Sequence, residues 1–191
     1  MENLRNSAIL ILFGSILFII AAVLPYTRVF IETDTHKKLA IIQELRLQWN
    51  VSHIVFILAS LLTSAGLSLL VGIYARALQT PWAWFIAVSI ILGALLWIWD
   101  CVERLLSPES FVFGTGTPYL FLIFSILTMI GLFLLGILIL KAGLSAWVGW
   151  MLMGAMTLVA VLFIIFKDVP PIVYFIFTLI LGIRLLTMSG V

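Results

Sequence analysis

Asp100 and Arg104 stand four residues apart in the stretch Trp97-Ile98-Trp99-Asp100-Cys101-Val102-Glu103-Arg104. On a helix that spacing places both on one face, where a carboxylate and a guanidinium can pair. Ser89, Gly93 and Trp97 continue the same face backwards along the chain. An ionisable group inside a bilayer is costly to place there and is a functional candidate for that reason. Asp100 is thus a candidate proton acceptor or ligand group, with Arg104 as its partner. A plainer reading ends the apolar run at Asp100, so that the pair meets headgroups and water at the membrane rim.

Three further residue types could carry chemistry. Glu103 and His53 join Asp100 as candidate catalytic groups, because a carboxylate and an imidazole together can move a proton. His53 reads equally well as an interfacial histidine bonded to a neighbouring helix. Arg184, in a late apolar stretch, joins Asp100 and Arg104 as a candidate ligand-binding group for a lipid phosphate or an anionic substrate. Snorkelling of its guanidinium to the interface explains it as well. Metal chemistry is not expected: there are two histidines and one cysteine, without a ligand-spaced pattern. No cofactor is expected, since a nucleotide loop and a nucleophile elbow are both absent.

These groups need elements to hold them, and composition says which. Of 191 residues, 64% are hydrophobic and 9% charged, against roughly 25% charged in soluble domains. Mean hydropathy is +1.31. A soluble enzyme and a disordered chain are both excluded. A net charge of +2 offers no basic patch for nucleic acid.

A membrane helix needs about 20 mostly apolar residues. Six stretches qualify, at residues 7–25, 51–74, 81–100, 118–140, 147–166 and 170–188. The expectation is an all-α, polytopic integral membrane protein. It forms one transmembrane domain over residues 1–191, a bundle of six transmembrane helices with a short amphipathic surface helix after the first span. Ile41, Ile42, Leu45 and Trp49 would form the apolar side of that surface helix. The first apolar run is too long for a signal peptide and is expected to stay as a helix. Pro81, Pro118 and Pro170 mark helix starts, and Ser107-Pro108 marks a stop. Trp82, Trp84, Trp97, Trp99, Trp147 and Trp150 fall near span ends, where an amphipathic ring favours the interface. The short connections at Lys141–Ala146 and Lys167–Val169 predict antiparallel neighbours.

Small residues should set the packing. Ser60, Ser64, Ser68 and Gly72 recur every fourth residue; Ser89 with Gly93 and Thr178 with Gly182 repeat the device. Such rows let backbones approach closely. They also offer faces for a protein partner or a second copy of the chain, beside the lipid bilayer itself.

Three functions remain open at this point. The first is a structural or accessory component of a membrane, and the lack of deep charged groups puts it ahead of an enzyme. The second is a carrier or binding protein for a small or lipidic molecule. The third is an interfacial enzyme using the Asp100, Glu103 and Arg104 face with His53. The expected location is a membrane, by default a bacterial plasma membrane, with both termini in the cytoplasm.

Overall fold

The computed structural model describes residues 2–24, 28–117, 119–166 and 169–189. The expected span end at Pro25 and the residues Pro118, Lys167 and Asp168 lie outside them. Nine helices occur among the described residues: α1 (Glu2–Ala22), α2 (Arg28–Ile31), α3 (Thr35–Glu44), α4 (Arg46–Ala77), α5 (Ala83–Leu106), α6 (Pro108–Phe113), α7 (Tyr119–Lys141), α8 (Ala146–Phe166) and α9 (Ile172–Met188). Five of these, α1, α4, α5, α7 and α8, are long and apolar enough to cross a membrane, as in a helical membrane protein. The sixth apolar helix, α9, has 17 residues and is shorter than those five.

Local sequence explains most boundaries. Pro108 ends α5 and opens α6 at the same point, because proline is favoured in a first helical turn. The stop expected there therefore hides a second, short helix, which ends on the left-handed Gly114 (φ 66°). Between α7 and α8 the chain turns at Gly143 (φ 65°), a conformation open to glycine without a Cβ clash. The segment after the first span is not one amphipathic helix. It breaks at Leu45, and Trp49 belongs to α4. The break frees Trp49 to turn towards α5, where its indole N–H donates to the Arg104 carbonyl at 3.1 Å.

Asp34 caps α3: its side chain accepts from the Lys37 N–H at 2.9 Å. That bond, before all else, holds the Asp34 carboxyl below its ordinary value of 3.8. Because the folded value is lowered, the cap's contribution is complete above pH 3.8 and is lost as pH falls through the lowered value. Asp34→Ala should speed hydrogen exchange at the Lys37 and Lys38 amides at neutral pH. The difference from the wild type should vanish in acid. Equal exchange at neutral pH would show that the cap does not hold α3.

In space the long helices follow the order α9, α1, α4, α5, α7, α8. The last meets the first only sparingly, although the α8–α9 connection is short. The expectation that this connection makes packed neighbours is thus corrected: α9 packs on α1 and α8 on α7. Backbone contact explains the choice. On α1, a Cβ at Gly14 would press on the Thr63 side chain and lie 2.8 Å from the Ala59 carbonyl. On α4, a Cβ at Gly66 would lie 2.9 Å from Ile11 N. Ser7 donates to the Gly66 carbonyl at 2.8 Å, and Ser15 bonds Thr178 across α1 and α9 at 2.8 Å. Gly182 approaches Leu12 N at 3.0 Å, and Gly93 faces Thr128 Oγ1 at 3.1 Å, both measured from an added Cβ. Ser89 lies against Gly131.

The four-residue row on α4 is divided by this packing. Ser60 is buried, Ser64 bonds the Leu61 carbonyl of its own helix, and a Cβ at Gly72 would meet nothing within 4 Å. A helix advances 3.6 residues per turn, so a four-residue row drifts about 40° per step. Over three steps it leaves the interface, and Gly66 rather than Gly72 is the contact glycine.

The bundle is crossed by a layer of rings. Phe18 stacks on Phe175 at 3.6 Å and meets Phe56 at 4.5 Å. Trp97 lies 6.1 Å from Phe56 and 5.1 Å from Phe124, and Phe124 meets Tyr174 edge-on at 5.7 Å. Trp97 is 3% exposed and is part of this layer. Its expected place in the interfacial belt is corrected, whereas Trp84, Trp99, Trp147 and Trp150 do face outward.

Candidate functional site

The site is built on the last turns of α5. That helix runs six residues beyond the expected end of its span at Asp100, so Asp100, Glu103 and Arg104 share one regular helix. Arg104 Nη2 pairs with Asp100 Oδ2 at 2.7 Å, and the two side chains are only 13% and 12% exposed. The Arg104 guanidinium also lies over the Phe111 ring at 4.5 Å and the Trp97 ring at 5.5 Å. Cation–π attraction of this kind strengthens when water is displaced. Glu103 is engaged differently. Its Oε1 accepts from Thr117 N at 2.9 Å and from Thr117 Oγ1 at 3.4 Å. The loop after α6 is thereby tied to α5. Glycine at 116 leaves room for this tie, since a Cβ there would lie 2.6 Å from Glu103 Oε1 and push the carboxylate off Thr117.

Above these residues opens a cavity of about 780 Å³. It lies at the end of the bundle where α1 and α5 finish and α4, α7 and α9 begin, and α2, α3 and α6 form its rim. Its wall has two characters. Phe18, Phe30, Phe56, Trp97, Phe111 and Phe121 supply aromatic surface; Lys38, Asp100, Glu103 and Arg104 supply charge. Pro170, Pro171 and Ile172 close the side at the start of α9.

The other sequence candidates lie elsewhere. His53 is 1% exposed and does not line the cavity; its Nδ1 faces the Trp49 carbonyl at 2.8 Å, one turn back on α4. The Trp49 and His53 rings are 4.2 Å apart. Arg184 sits twelve residues beyond Ile172 on α9, towards the opposite end of the bundle. Among the described residues no group of three or more His, Cys, Asp or Glu could hold a metal ion. Sequence alone does not single out Lys38, Phe18 or Phe121. Lys38 sits in a charged segment, and the two phenylalanines sit in helices apolar on every side, so no local signal sets them apart.

The fold and this site define a helical membrane protein with an amphipathic cavity at one end of its bundle. Comparisons with family models, with curated proteins and with solved structures find no match. The chemistry of the site is accordingly read from its own residues.

Proposed function

We propose that this chain is a multi-pass membrane protein that binds and carries a small amphipathic molecule in the cavity at the end of α5. One observation carries the reading: a void of about 780 Å³ with an aromatic wall and a charged edge. Ligand sites fall in the range of roughly 300–1,000 Å³ and combine apolar walls with a few polar groups. Protein interiors are otherwise close-packed, so an opening of this size at the end of a bundle favours a bound molecule over a purely structural or accessory role. Catalysis draws less support, because Arg104 holds the Asp100 carboxylate and Thr117 holds Glu103.

In this reading six helices cross the bilayer. The seventeen residues of α9 span about 26 Å at 1.5 Å each, close to the ~30 Å of hydrocarbon, and α9 lies along α1. The short α3, with Ile42 buried, Lys38 at the cavity and Lys37 and Glu44 exposed, lies on the membrane surface and covers the cavity. Both termini are in the cytoplasm of a bacterial plasma membrane, which puts the cavity on the outer face.

Filling the cavity tests this. Ala22→Trp adds bulk to its wall from α1 and leaves the Asp100 and Arg104 side chains of α5 unaltered in the sequence. The wild type, extracted in mild detergent, is expected to retain a stoichiometric amphiphile in native mass spectrometry. The variant should lose it while keeping its helical circular-dichroism spectrum, with an unfolding temperature lowered by no more than the lost ligand accounts for. An empty wild-type protein, indistinguishable from the variant, would overturn the proposal.

A further inference from the structure

From the groups that edge this cavity we infer that the polar end of its ligand is an anion with bare oxygens, a phosphate or a carboxylate on an alkyl chain. The inference rests on the binding reading above and names the ligand class for the same site.

Donors and acceptors around the cavity are unequally satisfied. The carboxylates of the wall are each engaged once: Asp100 Oδ2 pairs with Arg104 Nη2 at 2.7 Å, although it takes no hydrogen bond among the described residues, and Glu103 Oε1 takes the Thr117 N–H. The donors are not used up. The Trp97 indole N–H, on a wall residue only 3% exposed, has no hydrogen-bond partner among the described residues, and neither has Arg104 Nε. Lys38 lines the cavity from α3 and makes no ion pair among the described residues. A buried donor without an acceptor is costly to leave so. An anionic headgroup supplies acceptors of the kind these donors lack, and hydrogen bonds with an ionised partner are about twice as strong as neutral ones. Beside these groups, Phe18, Phe56 and Phe121 offer apolar surface to a chain. The aromatic layer, closed by the 3.6 Å stack of Phe18 on Phe175, stops that chain from passing deeper into the bundle.

The test uses the full-length protein in nanodiscs of neutral lipid. Three probes of equal chain length are titrated: an alkyl phosphate, an alkyl carboxylate and an uncharged alkyl glycerol ether. Bromine on each chain reports binding by quenching tryptophan fluorescence. At least one anion should bind about tenfold or more tightly than the glycerol ether, as expected of a charge-assisted contact. The better of the two anions separates a phospholipid-type source from a fatty-acid source. Lys38→Gln should remove most of that preference and leave the glycerol ether unchanged. Equal binding of all three probes would overturn the anion assignment while the cavity reading stands. If no probe binds at all, the cavity reading fails and the inference fails with it.

Discussion

Arg104→Ala is expected to destabilise the protein by about 3–5 kcal/mol, the usual loss when one partner of a buried ion pair is removed. The size follows from where the pair sits. Asp100 and Arg104 are 12% and 13% exposed, so water only partly replaces the guanidinium that Asp100 loses. The stacking of that guanidinium over Phe111 and Trp97 disappears in the same substitution. Unfolding in mild detergent, followed by tryptophan fluorescence, measures the loss. Adding Asp100→Asn to Arg104→Ala should restore part of it, because the stranded charge is then gone. A surface pair would contribute only about 0–1 kcal/mol. A single-variant loss of that size, with no gain in the double variant, would place the pair in solvent and remove the ion pair from the candidate site.

The second large effect belongs to Gly14. Gly14→Ala should cost about 3 kcal/mol or more, at the upper end of what an added methyl does in a filled core. The new Cβ would press on the Thr63 side chain and on two backbone atoms, the Ala59 carbonyl oxygen and Thr63 N, each 2.8 Å away. A side chain can turn aside; helix backbone cannot, so α1 and α4 have to separate. Gly72→Ala is the matched control, for its Cβ would meet nothing within 4 Å. That change should be neutral or slightly stabilising, since alanine suits a helix better than glycine by ~1 kcal/mol. Equal unfolding temperatures for the two variants would show that the α1–α4 seam is looser than the structure has it.

The contrast between these two glycines shows how far spacing can be read. The four-residue row on α4 is visible in the chain, yet the residue that matters for close approach lies six positions before its last member. Spacing tells which residues share a face; it does not tell which face meets a neighbour. In a soluble helix an apolar stripe answers that question. A membrane helix is apolar all round, because lipid tails are as apolar as a packed leucine, and the stripe is missing. The same reason hid Phe18 and Phe121 and misplaced Trp97. An indole near a span end suits the interface by its chemistry, and only the neighbours Phe56, Phe124 and Arg104 show that Trp97 is packed inside.

Composition and spacing are enough to establish the class of the protein and one piece of its site. Apolar runs of membrane length demand helices, since backbone groups in hydrocarbon have to be satisfied within each segment. The four-residue spacing of Asp100 and Arg104 needs nothing but one turn of helix to become an ion pair. That α9 lies on α1 and scarcely touches α8 comes from the packed bundle and from nothing earlier. The same packing brings Lys38 from α3 and Phe18 from α1 to the rim of α5, where a helical pair becomes the charged edge of a cavity. The difference is one of range. Local geometry is written in spacing along the chain, whereas a cavity is made by surfaces far apart in sequence, and their meeting depends on which backbones can come closest.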